Sequence, residues 1–238
     1  MKSDRYYDIL GVGRLPSVTT ILSVISKPAL YHWHAKHGST KALTVMGRLK
    51  AKSEDLYQAI HKELGVDFFR DGTSLAEEAA DYGKQAHSII EADLNGDHLG
   101  DLDLLDRPPP VREAIHSFRA WRDRTQFRVM KTESLIYSKK LGYAGTCDAI
   151  GETKDGVTLL DWKTSSGIWP EFHLQAIAYK YAAEEMTGER IPNAMICRFG
   201  KDGSFEDYTI PPMDHPDLFD RFIDAKHLWE WQKKGRRK

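Results

Sequence analysis

The spacing of apolar and polar positions changes near residue 127 of this 238-residue chain. Between residues 17 and 94, apolar residues recur every three or four positions, which predicts helices. A loop rich in proline and glycine follows at residues 95–110, and an amphipathic helix is predicted over 111–125. Beyond it the apolar residues alternate with a period of two, which is typical of strands that have one buried face.

The second part of the chain predicts an α/β fold with a central mixed sheet flanked by helices. The predicted elements are strands 127–138, 142–152 and 156–163, a helix 170–188, strands 193–200 and 204–211, and a helix 215–234. Asp155-Gly156 predicts a tight hairpin turn between the second and third strands. Gly188 is predicted to end the helix that starts at residue 170. We expect an N-terminal helical region over residues 1–82 and a core over residues 83–238 that ends in a helix and a basic tail.

The composition describes an ordinary globular protein, with 41% hydrophobic and 29% charged residues. No apolar run approaches the roughly 20 residues of a membrane span, and the N-terminal sequence lacks the apolar stretch of a signal peptide. We therefore expect a cytoplasmic protein without a membrane partner. Cys147 and Cys197 are too few for a disulfide framework, a zinc site or an iron–sulfur cluster, and both are predicted to be small core residues.

The net charge of −1 does not by itself indicate a nucleic-acid-binding protein, because such domains carry a basic excess. The charge is unevenly distributed, however: residues 112–140 contain eight bases and three acids, and the chain ends in a basic tail. Arg119, Arg122 and Arg124 either follow the backbone of a DNA strand or form a solvated helix face.

Two charged residues stand at the end of the third predicted strand, where the sequence is TLLDWK. Because side chains in a strand alternate, Asp161 and Lys163 share a face with Leu159, while Trp162 shares the other face with Leu160. Either the two charges form an exposed pair of little energetic value, or they lie in a site inside the fold.

Asp148 is predicted to lie on the neighbouring strand, so that three charged groups gather on one face of the sheet. Crowded buried acids have to be neutralised, protonated or bound to a cation. Carboxylate ligands with open water positions favour Mg²⁺ or Mn²⁺. Such ions also supply what phosphodiester hydrolysis needs: a nucleophile made from water, stabilised phosphoryl oxygens and help for the leaving group.

Four further residues are candidates for the same site. Glu133 lies on the preceding strand, and His87 lies on an earlier helix with the sequence GKQAH. Gln175 and Tyr179 are four residues apart and therefore share a helix face. Taken singly, each also fits an ordinary core or surface role.

In this order the motifs resemble the RecB-like branch of the PD-(D/E)XK nuclease superfamily. The resemblance covers residues 83 to about 183, with similarity also in the segment PSVTTILSVISKPALYHWHAKHG. It is carried by six elements of the sequence: GKQAH with His87, Glu133, GTCD with Asp148, Asp161-Trp162-Lys163, Gln175 and Tyr179. It implies a restriction-endonuclease-like core and a set of metal ligands: His87, Asp148, Asp161 and the main-chain carbonyl of Trp162.

The resemblance also implies roles for the remaining candidates. Lys163 would orient or activate the attacking water, and Glu133 would be a second-shell or second-metal acid. Gln175 and Tyr179 would contact the DNA backbone or order the site. Iron–sulfur members of the branch need four cysteines, so this chain resembles the members without a cluster.

The expected function is that of a deoxyribonuclease dependent on one or two Mg²⁺ or Mn²⁺ ions. It would act as an exonuclease on single strands or DNA ends, in DNA processing, recombination or repair in a bacterial or phage-infected cell. The N-terminal helical region would cover the site, and any helicase would be a separate partner because the chain has no Walker A motif. The alternatives are a structure-selective or restriction-type endonuclease and a non-catalytic DNA-binding module on the same fold.

Overall fold

The computed structural model describes residues 4–25, 68–98, 100–200 and 203–235. The chain forms two compact units: Met1–Ile25 together with Tyr82–Lys238, and Ser26–Asp81. All residues of the predicted site belong to the first unit. The predicted cover over the site falls largely on residues 26–67, which lie outside the described residues.

The centre of the first unit is a five-stranded mixed sheet, which confirms the α/β prediction. Its strands are β3 (Arg128–Ser138), β4 (Tyr143–Thr153), β5 (Gly156–Lys163), β6 (Asn193–Phe199) and β7 (Phe205–Ile210). They stand in chain order, and neighbours are antiparallel except for the parallel pair of β5 and β6. Gly156 has a φ of 102° in the predicted hairpin turn between β4 and β5.

The described α-helices are α1 (Val18–Ile21), α2 (Phe68–Leu94), α3 (Asp101–Leu105), α4 (Pro109–Thr125), α5 (Pro170–Thr187) and α6 (His215–Gly235). Residues 68–81 of α2 belong to the second unit, and the helical residues of the first unit flank the sheet. Two short 3-10 helices cover Leu22–Val24 and Pro212–Asp214. None of the described helices has the length and apolarity needed to cross a membrane.

Helix α5 makes the crossover that a parallel strand pair requires. It begins at Pro170, where a missing main-chain N–H leaves no helical bond unmade. It ends at Gly188, which has a φ of 71° and tolerates this left-handed conformation because it has no Cβ. Six residues, 164–169, connect the charged end of β5 to the first turn of α5.

Both faces of the sheet are packed. Leu159 lies in a core with residues of α5 and α6, whereas Leu160 and Trp162 lie in a second core with residues of α2 and α4. This alternation confirms the predicted facing of the β5 side chains. Cys147 and Cys197 are buried free thiols, as predicted.

The N-terminal segment departs from the helical prediction. It forms an antiparallel hairpin of β1 (Tyr6–Ile9) and β2 (Gly13–Pro16) that packs on Ala144 of β4. The turn depends on Gly11 and Gly13, whose φ values of 73° and 109° suit glycine. Strands of four residues are too short for a clear alternating pattern, and the helical region predicted for residues 1–82 is wrong here.

Phe222 tests the packing of α6 on the first face of the sheet. Its side chain is fully buried, and its ring centroid lies 4.9 Å from that of Tyr143. We expect Phe222→Ala to lower the free energy of unfolding by about 3–5 kcal/mol, measured by urea denaturation. Leu228→Ala, on the same helix at a side chain that is 45% exposed, should change it by less than about 0.5 kcal/mol. Equal losses would contradict this packing.

Candidate functional site

The site forms where β4 and β5 stop pairing. Their ladder runs as far as Ala149 opposite Leu160, one residue short of the two aspartates. Beyond it, Oδ2 of Asp148 accepts a hydrogen bond of 2.6 Å from the main-chain N–H of Trp162. A carboxylate thus replaces a main-chain acceptor, and the strands separate at the point where each carries an aspartate.

Three of the predicted residues surround the gap with metal-ligating atoms. His87, Glu133 and Asp148 each offer one such atom, and the three atoms lie within 4.8 Å of one another. Nδ1 of His87 is 3.5 Å from Oδ1 of Asp148. Three elements that are distant in sequence, α2, β3 and β4, therefore converge on one small volume.

Glu133 reaches this cluster from an irregular point of β3. Its neighbours in the ladder, Thr132 and Ser134, pair with Ala149 and Cys147, which places Glu133 across from Asp148. The φ of Glu133 is 39°, in the left-handed region that few residues other than glycine adopt. Such conformations cost about 1–3 kcal/mol and concentrate at functional sites.

A glycine brings α2 close to the end of β5. A Cβ added to Gly83 would lie 2.8 Å from Oγ1 of Thr164, the residue that follows Lys163. Gly83 is one helical turn before His87, so the close approach of α2 also places the imidazole beside the strand ends.

Asp161 and Lys163 form a buried ion pair. The Asp161 side chain is 1% exposed and that of Lys163 is 15% exposed. Oδ2 of Asp161 forms the ion pair with Nζ of Lys163, while Oδ1 accepts a hydrogen bond of 3.1 Å from Nε2 of Gln175. Of the two possibilities left by the sequence, the structure excludes the exposed pair.

Side chains of helix α5 pack beside this ion pair. Nε2 of Gln175 also lies 3.2 Å from the hydroxyl of Tyr179, and Nζ of Lys163 lies 5.0 Å from the ring centroid of Phe172. Phe172, Gln175 and Tyr179 share one helix face at spacings of three and four. The Tyr179 ring occupies the space beside Gly145, where a Cβ would come within 2.4 Å of its Cε1.

The carboxylates of the site have divergent proton affinities. Burial raises the pKa of Asp161 to about 6 against the opposing charge of Lys163, with Asp148 adding to the rise. Burial also raises the pKa of Glu133, helped by Asp148. For Asp148, burial acts upward, but the charge and hydrogen bond of His87 bring the pKa below its usual range.

The pKa of His87 shifts in the opposite direction from that of Asp148. Burial acts to lower the pKa of His87, but the neighbouring Asp148 carboxylate outweighs it and the pKa is raised. An imidazole and carboxylates so close together share protons when no cation is bound. The donor set, one nitrogen and several carboxylate oxygens, is also one that divalent Mg²⁺ or Mn²⁺ accepts.

The cluster differs in composition from the predicted ligand set. Glu133, predicted as a second-shell or second-metal acid, lies in the group of three, whereas Asp161 is held by Lys163 and Gln175 outside it. The Trp162 carbonyl stays a predicted ligand. Its N–H, which the sequence did not single out, supports Asp148.

The three arginines of α4 that were predicted to bind DNA contact other residues of the protein. Nε of Arg119 donates to the buried Asp93 at 2.6 Å, and Arg124 pairs with Asp207 at 2.9 Å. Arg122 donates to the main-chain oxygen of Asp93 at 3.4 Å. Helix α4 belongs to the second core, on the other face of the sheet from α5. Their contact with DNA stays a prediction.

Two residues that line the site were missed. Phe172 could have been found, because it shares a helix face with Gln175. Tyr7 could not, because its hydroxyl reaches Oγ1 of Thr146, 3.1 Å away, only after the N-terminal hairpin has packed on β4.

Asp161 should make the metal-free protein less stable as the pH rises. Its folded pKa of about 6 lies above its ordinary value, so the stability present at low pH is lost as the pH rises through the folded pKa. Asp161→Asn keeps the oxygen that faces Gln175 and removes the titration. We expect the variant to gain on the order of 2 kcal/mol over wild type between about pH 4 and pH 8, measured by urea denaturation in EDTA. The exposed control Asp106→Asn should gain nothing, and a pH-independent difference for Asp161→Asn would contradict the burial argument.

Gly145 should be intolerant of a side chain because of Tyr179. We expect Gly145→Ala to lower the free energy of unfolding by about 1–3 kcal/mol. Gly167→Ala, where the nearest contact of the new Cβ is an ordinary 3.8 Å, is the matched control. A double-mutant cycle with Tyr179→Ala measures the clash directly, since loss of the ring should relieve it. If the two changes in the free energy of unfolding are strictly additive, the cost of Gly145→Ala does not come from the Tyr179 ring.

Comparison of the sequence with protein families and with curated proteins assigns no role to this site. No protein-family model matches the sequence, and no curated protein matches it.

Proposed function

We propose that the chain is a metal-dependent DNA nuclease of the PD-(D/E)XK superfamily, of the RecB-like type without an iron–sulfur cluster. In support, the first unit is an α/β domain in which a mixed five-stranded sheet lies between α2 and α4 on one face and α5 and α6 on the other. The meander of β3, β4 and β5, followed by the crossover helix α5, is the arrangement that the resemblance implies.

One observation carries the proposal. A buried Asp161–Lys163 ion pair stands at the separated ends of β4 and β5, next to the cluster of His87, Glu133 and Asp148. Burying this much charge costs several kcal/mol and gives little stability in return. A catalytic site explains that cost, because perturbed ionisable groups gathered in one place are typical of active sites.

The residues present fit a divalent cation. His87, Glu133 and Asp148 would hold it, and Asp161, whose Oδ2 contacts the Lys163 ammonium group, would add a further carboxylate. A bound Mg²⁺ or Mn²⁺ supplies positive charge for the phosphoryl oxygens and lowers the pKa of water.

The other side chains would position the reactants. Lys163 keeps its ammonium group beside Asp161, where it would orient the attacking water and balance negative charge at the phosphate. Gln175 fixes the Asp161 carboxylate and links it to Tyr179, so both would order the site or contact the DNA backbone. Phe172 restrains the lysine from the side of α5.

The first test is digestion of end-labelled linear DNA and closed circular DNA, each single- and double-stranded, with Mn²⁺, Mg²⁺ or EDTA. The proposal expects metal-dependent loss of linear DNA with circles spared, as for an exonuclease acting on single strands or ends. Cut circles would favour a structure-selective or restriction-type endonuclease. Binding without cleavage under every condition would favour a non-catalytic DNA-binding module.

Substitutions of Lys163 and Asp148 should impair different properties of the protein. We expect Lys163→Ala to lower kcat at least about 100-fold while DNA affinity in Ca²⁺ stays within about twofold. Asp148→Asn keeps an oxygen for the Trp162 N–H but removes the charge, so it should lose both cleavage and the rise in Tm that Mn²⁺ gives wild type. Lys154→Ala, at an exposed turn lysine, is the control. A Lys163→Ala defect confined to affinity would remove this residue from the chemistry.

A further inference from the structure

The N-terminal hairpin lies against the strand that carries Asp148. The Tyr7 hydroxyl is 3.1 Å from Oγ1 of Thr146, two residues before Asp148 on β4. Ser17, which follows the hairpin, forms a strand bridge to Ala144 on β4. Tyr7 therefore contacts β4 two residues from Asp148, on the strand that contributes to the cluster of His87, Glu133 and Asp148.

Arg5 is fixed at the base of this hairpin by its main chain alone. Its N–H donates to Oγ1 of Thr20 at 2.8 Å, and its carbonyl oxygen accepts from the N–H of Ser17 at 2.9 Å and from Oγ1 of Thr20 at 3.2 Å. None of these bonds uses the side chain, and the residue is exposed. The fold therefore depends on the position of Arg5 but not on its guanidinium.

The guanidinium of Arg5 lies over the ring of Tyr7. Its Cζ lies 4.8 Å from the ring centroid of Tyr7, and within the described part of the chain it has no carboxylate partner. Burial, Asp148 and Glu91 all raise the pKa of Glu133, and the charge of Arg5 acts against them. A cation without a carboxylate partner among the described residues therefore lies within electrostatic range of Glu133.

We propose that Arg5 binds a backbone phosphate of the nucleic acid at the metal cluster, with the Tyr7 ring as the support that orients its guanidinium. The proposal rests on the proposed nuclease function and adds a substrate-binding residue from the opposite end of the sequence.

The chemistry of the site calls for such a cation. A phosphate that approaches Asp148, Asp161 and Glu133 meets like charge, and Lys163 is already paired with Asp161. Arginine presents several N–H groups in a plane, which match two phosphate oxygens at once. Stacking on an aromatic ring restrains the guanidinium, so less side-chain entropy is lost when the phosphate binds.

Arg14 provides a matched control on the same hairpin. Its Cζ lies 4.6 Å from the ring centroid of Tyr6, whose ring faces Trp229 of α6 at 6.4 Å. Arg14→Gln therefore removes a charge that is also exposed and also lies over a tyrosine ring, from the side of the hairpin away from Thr146. Arg5→Lys keeps the charge of Arg5 but loses the paired N–H groups.

The experiment measures affinity for a labelled oligonucleotide in Ca²⁺ by fluorescence anisotropy at several salt concentrations, and KM and kcat in Mn²⁺. We expect Arg5→Gln to raise Kd about tenfold and to reduce the salt slope by about one, with Arg5→Lys between it and wild type. Arg14→Gln should match wild type in both. Urea denaturation should give the same stability for all four proteins, because the main-chain bonds of Arg5 remain.

The outcomes separate this inference from the nuclease function. If wild type cleaves DNA and Arg5→Gln equals Arg14→Gln in Kd and salt slope, the role of Arg5 is overturned and the nuclease function stands. If wild type binds DNA with an Arg5-dependent salt slope but cleaves nothing, the nuclease function fails and the phosphate contact stands. If wild type does not bind DNA, both are wrong.

Discussion

The hydrogen bond from the Trp162 N–H to Asp148 is the interaction on which the site depends. It lets β4 and β5 part without leaving a buried main-chain donor unsatisfied, which would cost about 1–3 kcal/mol. The gap it maintains is where His87 and Glu133 approach Asp148. On its other edge β5 stays paired with β6 through Lys163, so the strand end is rigid although one neighbour has left.

The same arrangement explains why charge can be kept inside this fold. Asp161 and Lys163 neutralise one another, Gln175 satisfies one carboxylate oxygen, and Phe172 restrains the ammonium group. The two hydrophobic cores lie on either side of the sheet and hold these groups in place. The stability of the unit therefore comes from the cores, while the charged groups at the strand ends lower it in the absence of a cation.

Much of the fold followed from the sequence because local patterns agreed with the tertiary structure. Strand alternation gave the facing of Asp161 and Lys163, the Asp155-Gly156 turn gave the β4–β5 hairpin, and Gly188 marked the end of α5. The convergence of His87 with Asp148 depends on the close approach of α2 to Thr164 at Gly83, and no local pattern encodes such a tertiary contact. The hairpin at residues 6–16 was missed because its short strands are stabilised by β4, and with it Tyr7 and Arg5.

The first unit is discontinuous in sequence, because residues 26–81 separate the hairpin and α1 from Tyr82 onward. Docking the hairpin on β4 therefore closes a long loop, and the entropy of that closure opposes docking whatever the quality of the contacts. The sheet and the cluster of His87, Glu133 and Asp148, by contrast, are built from consecutive elements after residue 82. In hydrogen exchange the amides of β1 and β2 would accordingly open at lower free energy than those of β4 and β5. The hairpin would then detach from β4 while His87, Glu133 and Asp148 stay together.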